Sequence, residues 1–126
     1  MKSDRFRTAV EGEDLAAIGD LFAEDAVFRS PVVFTPYEGR EAIAMLLGAV
    51  AQVFEDFHYV DQVETGDSAV LVFAARVGDR ELDGVDILRF GPDGRVAEMM
   101  VMVRPMSAVT ALAEAMAARL AEAGSG

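Results

Sequence analysis

The chain has no cysteine, no tryptophan and a single histidine, His58. Without cysteine it can form neither a disulfide nor a thiolate metal site, and it has no thiol nucleophile. One histidine also argues against a zinc centre of the usual kind. We therefore expect a protein that holds no metal and no cofactor.

Positive charge is also scarce. The sequence has 11 lysines and arginines against 22 aspartates and glutamates, which gives a formal net charge of −11. Such a balance disfavours binding to a phosphate backbone or to an anionic membrane surface. We expect neither nucleic acid nor a membrane as a partner.

Long apolar runs are missing as well. No run approaches the roughly 18 residues needed to cross a bilayer. The first residues, MKSDRFRTAVEGED, are charged and lack the apolar segment of a signal peptide. These features predict a cytoplasmic protein. The length of 126 residues suits one domain over 1–126, with a frayed tail at 122–126.

The first half of the chain reads mainly as helix. Apolar residues recur at helical spacing in 14–24 and 40–54, and 4–10 forms a further short helix. Gly39 is an acceptable N-cap for the helix at 40–54. Residues 26–39 read as a strand that Pro31 breaks, followed by an irregular loop.

The second half reads as strands. The four segments with strand character are 57–64, 69–77, 81–90 and 95–104. Their connectors TGDS, GDR and GPDG are short enough for antiparallel hairpins. Pro105 ends the last strand, and Ser107 is the expected cap of a final helix that ends near Ala121. Helices followed by an antiparallel meander predict an α+β fold.

Asp86 interrupts the apolar strand GVDILRF at 84–90. Strand interiors avoid aspartate, and a buried carboxylate is costly unless it is paired. By alternation Asp86 shares one strand face with Leu82, Gly84 and Leu88. A carboxyl group among such neighbours should have a raised pKa. We expect Asp86 either to face a pocket or to bond to backbone amides or a tyrosine.

The order of these elements, with EGREAI opening a helix and a meander that carries GVDILRF and DGRV, resembles the nuclear transport factor 2-like superfamily, and within it the SnoaL-like proteins. The resemblance covers nearly the whole chain. It implies a cone, in which a curved sheet wraps around the N-terminal helices and leaves an apolar pocket. Members include polyketide cyclases, ketosteroid isomerases, epoxide hydrolases, dehydratases and non-catalytic binding modules, so the fold does not fix the function.

The resemblance gives Asp86 a specific role. In ketosteroid isomerases a comparable segment carries a protonated aspartic acid that donates a hydrogen bond to an oxyanion. The carboxylate base of those enzymes is replaced here by Ser30, and their first-helix tyrosine by Phe6. The second aspartate of the epoxide hydrolases is absent from the strand that contains Met99, Val101 and Val103. The pattern therefore implies an apolar pocket with one carboxyl group.

Two residues are candidates for catalysis, Asp86 as acid or hydrogen-bond donor and His58 as general base, although a solvated His58 is equally compatible with the sequence. Alternation does not settle which face of 57–64 looks inward. It places Tyr59 and Asp61 on the face opposite to His58. The candidate ligand-binding residues are Tyr37, Leu71, Phe73, Leu88, Met99, Val101 and Val103.

Two functions remain open. The first is a non-catalytic protein that binds a small apolar molecule. The alternative is a small isomerase, cyclase or dehydratase that acts on an apolar carbonyl or polycyclic compound through Asp86, with His58 or water as base. The missing isomerase base favours the first, and Asp86 favours the second.

The outer sheet face predicts a homodimer. Met100, Met102, Val85 and Ile87 point away from the expected pocket, whereas a solvated sheet face should be polar. Two such faces can bury each other across a two-fold axis. The alternative is that the C-terminal helix folds over this face within one chain.

Overall fold

The structure is a computed structural model that describes residues 1–125 of the chain. Its elements are α1 (Ser3–Glu11), α2 (Leu15–Asp20), β1 (Phe22–Arg29), β2 (Tyr37–Glu38), α3 (Arg40–Val53), β3 (Glu55–Thr65), β4 (Ser68–Val77), β5 (Arg80–Phe90), β6 (Val96–Arg104) and α4 (Met106–Ser125). None of these helices is both long and apolar enough to cross a membrane.

The six strands form one open, curved sheet in the order β2-β1-β6-β5-β4-β3. The predicted meander is confirmed, because β3, β4, β5 and β6 pair as successive antiparallel neighbours. The sheet is not antiparallel throughout, since β1 pairs in parallel with β6. The α+β fold with a curved sheet around the helices is therefore confirmed. The strand predicted within 26–39 corresponds to β1, which begins earlier, at Phe22, and ends at Arg29, before Pro31, whereas the short strand β2 was not predicted.

The predicted helix at 14–24 is too long. Asp14 caps α2 by accepting a hydrogen bond from the Ala17 amide at 3.1 Å, but the helix ends at Asp20. The chain then enters β1 at Phe22, whose partner on β6 is Val96. At this point the backbone of residues 21–22 pairs with β6, and the Val96 amide donates a hydrogen bond to the Leu21 oxygen at 2.8 Å. This pairing would be lost if the helix continued to residue 24. Tertiary pairing thus overrides the helical spacing of Leu21 and Phe22.

The predicted start of α3 and end of β6 agree with the structure, whereas the predicted ends of α4 do not. Gly39 precedes α3 with φ of +96°, which explains why a glycine is needed there. β6 ends at Arg104, before Pro105, as predicted. Ser107 does not cap α4, because the helix already begins at Met106. α4 runs past the expected end at Ala121 to Ser125, and the last residue of the predicted frayed tail, Gly126, lies outside the described residues.

The concave side of the sheet forms the core together with the helices. Alternate residues of β4 are buried, including Leu71 and Phe73, while their neighbours are only partly covered. Phe6 of α1 and Ile43 of α3 are fully buried in the same cluster, and so are Leu112 and Met116 of α4. Because α4 packs on this side, it does not cover the outer sheet face.

Glu64 on β3 fixes the start of α1. Its carboxylate accepts hydrogen bonds from the Ser3 amide at 2.9 Å, the Ser3 hydroxyl at 2.7 Å and the Lys2 amide at 3.1 Å. The bonds from Ser3 hold the pKa of Glu64 below its usual range. A residue distant in sequence thus does the work of an N-terminal cap and docks α1 on the concave side of β3.

Candidate functional site

Asp86 lies in the middle of β5 and is one of two buried polar or charged residues among those described, with 4% of its surface exposed. Its strand neighbours on the same face, Leu82, Gly84 and Leu88, are also buried. This face looks toward the helices rather than toward solvent. A carboxyl group has therefore been placed in an apolar interior, where its neutral form is favoured.

Tyr59 on β3 is the polar partner of Asp86. The Tyr59 hydroxyl donates a hydrogen bond to Oδ2 of Asp86 with an O···O distance of 2.6 Å. Tyr59 is itself buried, and it faces Phe73 across the β3–β4 ladder. Of the two expectations for Asp86, the structure shows both: the carboxyl group bonds to a tyrosine, and it also lines a cavity.

A β-bulge between Tyr59 and Asp61 decides which residues of β3 face inward. Tyr59 is paired with Phe73 and Asp61 with Val72, so one residue of β3 is left over. Inward residues before the bulge are Phe57 and Tyr59, whereas Asp61 is exposed. The predicted common face of Tyr59 and Asp61 is therefore wrong, because simple alternation fails at a bulge.

Burial controls the protonation of both groups. It raises the pKa of Asp86 to about 7, although the hydrogen bond from Tyr59 opposes part of that rise. Burial and the neighbouring Asp86 raise the pKa of Tyr59 above its usual range. Tyr59 therefore keeps its proton and acts as a donor, whereas Asp86 changes protonation state near neutral pH.

This arrangement also leaves one oxygen of Asp86 without a protein partner. Oδ2 already accepts from Tyr59, and within residues 1–125 no protein group bonds to Oδ1. Every fully buried side-chain oxygen or nitrogen of the described residues has a hydrogen-bond partner. Because Oδ1 has none, it is not fully buried, and the surface to which it is exposed is that of the cavity that Asp86 lines. With Tyr59 donating to Oδ2, a neutral Asp86 has Oδ1 available to carry its acid proton and to donate it to a group in the cavity.

The cavity has a volume of about 340 Å³, which is the size of a site for a small organic molecule. Its walls are mostly aliphatic and aromatic side chains from the concave sheet face and from all four helices. Tyr59 and Asp86 form its buried floor. Its exposed lining residues, which we call the mouth, are Glu13, Leu15, Val32, Val33, Ala51, Asp56 and Ala117.

Several residues predicted to line a pocket do so. Tyr37, Phe73, Met99 and Val101 all lie on the cavity wall beside Asp86. The predicted lining residues that do not reach the cavity are Leu71, Leu88 and Val103. Leu71 and Leu88 are completely buried by core packing, and Val103 packs partly buried against the core.

His58 does not belong to this site. Its side chain is exposed, and Nδ1 lies 2.9 Å from the backbone oxygen of Asp56. Because Phe57 and Tyr59 on either side of it point inward, His58 points to the outer side of β3. Its prediction as a general base for a ligand in the cavity is therefore corrected.

Ser30 and Phe6 do line the cavity. The Ser30 hydroxyl accepts hydrogen bonds from the Val32 and Val33 amides at 3.0 and 3.4 Å, so it stabilises the turn after β1. Neither residue supplies a titrating base. Among the described residues, no three histidine or carboxylate side chains are grouped in a way that could hold a metal ion.

The site residue that sequence reasoning missed is Tyr59. Its hydrogen bond to Asp86 joins β3 to β5, two strands that are separated by β4. The inward position of Tyr59 also depends on a bulge in β3, which the sequence pattern does not reveal. The one available signal was chemical, since a buried carboxyl group needs a donor and the chain has only two tyrosines.

Comparisons with known proteins agree with this architecture. The structure matches a steroid delta-isomerase from Pseudomonas aeruginosa with a TM-score of 0.94 and 44% sequence identity, over 99% of this chain and 93% of that chain. It also matches an uncharacterised protein with a cystatin-like fold from Silicibacter pomeroyi, with a TM-score of 0.90 and 34% identity, over 94% of this chain and 84% of that chain.

A nuclear transport factor 2-like protein of unknown function from Mesorhizobium loti matches with a TM-score of 0.73 and 27% identity, over 82% of this chain and 88% of that chain. No curated protein matches the sequence significantly. The family model described as a SnoaL-like domain matches residues 4–99, which is most of the chain. The chain therefore belongs to the SnoaL-like domain family of the nuclear transport factor 2-like superfamily.

Proposed function

We propose that this protein binds a small, uncharged and largely apolar molecule through an oxygen atom of that molecule, such as a ketone oxygen. The observation that carries the proposal is the floor of the cavity. There, a buried carboxyl group has one oxygen held by Tyr59 and the other directed into an apolar space. A neutral Asp86 donates one hydrogen bond to the ligand, and the walls bury the rest of it.

Asp86 suits a ligand oxygen better than a ligand cation or anion. Below a pH of about 7 the group is neutral and offers a proton, so it has no charge with which to attract an amine. An anion at the floor would have to be desolvated without a positive partner, which is costly. A carbonyl oxygen needs only the single donor that Oδ1 provides.

A rigid aromatic ketone tests this function. Binding of 2-acetylnaphthalene is compared with binding of 2-ethylnaphthalene, a hydrocarbon of similar shape, by titration calorimetry at a pH of about 6, where Asp86 is mostly neutral. We expect the ketone to bind more tightly than the hydrocarbon. Asp86→Asn should preserve this preference, because an amide accepts from Tyr59 and still donates into the cavity. Asp86→Leu should abolish it.

Equal binding of ketone and hydrocarbon to the wild type would contradict the proposal. Loss of the preference in Asp86→Asn as well as in Asp86→Leu would contradict the donor geometry. Circular dichroism of each variant establishes that it is folded before the comparison is made.

A second candidate function is catalysis of proton transfer within a ketone. It is favoured by the 44% identity to a steroid delta-isomerase and by the pKa of Asp86 near 7, which suits acid–base chemistry at neutral pH. In such a reaction a neutral Asp86 stabilises the enolate oxygen by hydrogen bonding. A water molecule would serve as base, because Ser30 has no basic group and His58 lies outside the cavity.

An isomerisation assay distinguishes catalysis from binding. Its substrate is a steroid ketone with an isolated double bond in the β,γ position. Isomerisation conjugates the two groups, and the new ultraviolet absorbance reports turnover. An enzyme produces this absorbance faster than buffer does, and Asp86→Leu lowers the rate to the buffer value. A binding protein leaves the rate at the buffer value even when the cavity is saturated with the steroid.

A further inference from the structure

The mouth of the cavity is acidic. Of the charged residues that line the cavity, Asp86 lies at the floor, and Glu13 and Asp56 lie at the mouth. No lysine, arginine or histidine lines any part of the cavity within residues 1–125. A ligand that enters therefore meets negative charge at the mouth without a positive group of the cavity wall to offset it.

The two mouth carboxylates are not equivalent. Asp56 forms an ion pair with Arg76, whose Nη2 lies 2.6 Å from Oδ2 of Asp56, and Arg76 also pairs with Glu55. The carboxylate of Glu13 has neither an ion pair nor a hydrogen bond to any described residue. Of the two mouth carboxylates, Glu13 is thus the one without an ion pair.

The backbone holds Glu13 at this position. Its amide donates to the Val10 oxygen at 3.1 Å, and the next amide, of Asp14, donates to the Ala9 oxygen at 3.0 Å. Glu13 and Asp56 are also the two non-glycine residues of the described chain with positive φ, each at +54°. The turn between α1 and α2 therefore carries a glutamate in a conformation that glutamate seldom adopts, at the entrance of the cavity.

We propose that Glu13 selects ligands by charge and hydrogen bonding: it accepts a hydroxyl or amine at the outer end of a ligand whose carbonyl oxygen meets Asp86, and it disfavours ligands with an anionic group at that end. This inference rests on the proposed binding of a ketone oxygen at the floor. It narrows the ligand class to molecules with an acceptor oxygen at one end and a donor at the other.

Hydration and charge explain why Glu13 would distinguish these ligands. Glu13 is exposed and keeps its hydration until a ligand arrives, so a donor on the ligand replaces water at little cost. A carboxylate at the outer end of the ligand would be repelled by the negative charge of Glu13, and the net charge of −11 adds to that repulsion. Exposed charges interact weakly, so the expected effects are modest.

The test uses 2-acetylnaphthalenes that carry a methyl, hydroxymethyl, aminomethyl or carboxylate group at the opposite end of the ring system. Affinities are measured by calorimetry for wild type and Glu13→Gln, with Glu24→Gln as the matched control. Glu24 is exposed and lies outside the cavity lining, so its replacement removes one negative charge elsewhere.

For the wild type we expect the aminomethyl and hydroxymethyl ketones to bind more tightly than the methyl ketone, and the carboxylate to bind most weakly. Glu13→Gln should reduce the ratio of aminomethyl to carboxylate affinity about two- to fivefold, the range of exposed charge pairs. Glu24→Gln should leave this ratio unchanged. Added salt should shrink the ratio in the wild type more than in Glu13→Gln.

The inference is overturned if the methyl ketone binds in an Asp86-dependent manner while the carboxylate binds equally well. It is likewise overturned if both glutamine variants change the ratio equally, because the effect would then come from overall charge. Should no ketone bind in an Asp86-dependent manner, the proposed function itself fails. If Glu13→Gln does not fold, the salt dependence of the wild-type ratio decides, and a salt-independent ratio contradicts the proposal.

Discussion

Asp86 is held in a place where its charged form is disfavoured, and this has a consequence for stability. In the unfolded chain the carboxyl group has a pKa near 3.8, whereas in the folded protein burial raises it to about 7. Between these values the unfolded state releases its proton and the folded state keeps it. Raising the pH through this window therefore favours unfolding, and no further loss occurs above about pH 7.

We predict that Asp86→Asn removes this contribution. Relative to wild type, the variant should gain stability from about pH 4 to pH 7, by as much as roughly 4 kcal/mol in the free energy of unfolding. Urea denaturation of both proteins across this range measures the difference. A difference that does not change with pH would mean that the carboxyl group is ionised in the folded protein throughout.

Tyr59 provides a second prediction at the scale of residues. Its hydrogen bond lowers the pKa of Asp86 against the larger effect of burial. Tyr59→Phe should therefore raise the pKa of Asp86 above its wild-type value of about 7, because the charged form loses its donor. Carbon-13 NMR of labelled aspartate measures this shift. A lowered pKa would show that water enters the cavity and solvates the carboxylate instead.

The sequence allows Asp86 to be recognised as a candidate site residue, but it does not allow its hydrogen-bond partner Tyr59 to be identified. Asp86 was recognisable, because an aspartate inside an apolar strand segment requires an explanation. The pairing with Tyr59 was not, since it crosses two strand boundaries and a bulge. His58 was misleading, because its type suggested chemistry while its outward position on β3 was not decided by the pattern.

The strands and helices were predicted with unequal success, for physical reasons. The four strands of the meander are rich in apolar residues and are joined by short turns, so local sequence specifies them. β1 begins at Phe22 because it pairs with β6, which is distant in sequence, and local spacing there suits a helix equally well. The two bulges of β3 likewise depend on its partner strand.

Gly84 on β5 allows the close packing of β4 and β5. A Cβ atom added at this position would lie 2.2 Å from Cζ of Phe73, whose ring covers the glycine. We predict that Gly84→Ala destabilises the protein by about 1–3 kcal/mol, because the Phe73 ring must move into the cavity. Urea denaturation measures the stability, and 2-acetylnaphthalene affinity reports the smaller cavity.

The control is Gly48→Ala in α3, where a Cβ atom would make an ordinary contact of 3.9 Å with Leu15. Alanine there should stabilise the helix by about 0.5–1 kcal/mol. If Gly84→Ala were as stable as the wild type, the close approach of Phe73 would not be important for packing.

The whole molecule leaves one sheet face uncovered. Leu112 and Met116 of α4 line the cavity, so α4 packs on the concave side and the alternative in which it covers the outer face is not observed. The outer face carries Met102, which is 49% exposed, and the partly exposed apolar side chains Val70, Val72, Val85, Ile87 and Met100. Its charged pairs, Arg104–Asp83 and Arg29–Glu98, offer both signs for contact with a second copy.

We therefore propose a homodimer through this face and predict that Met102→Glu dissociates it, because the substitution places an unpaired charge in the buried centre. Analytical ultracentrifugation at micromolar concentration is the measurement. Met45→Glu is the matched control, since Met45 is 64% exposed on α3 and should leave the dimer intact. A wild-type species with the single-chain mass of 13.5 kDa would contradict the dimer.

Ligand binding as proposed depends on a neutral Asp86 that donates to an oxygen of the ligand. The most direct test is a carbon-13 NMR titration of the Asp86 carboxyl group, without ligand and with saturating 2-acetylnaphthalene. We predict a pKa near 7 in the free protein, and a higher pKa in the complex because the ligand binds the protonated form. A pKa near 3.8 in the free protein, or a pKa that the ketone lowers or leaves unchanged, would contradict it.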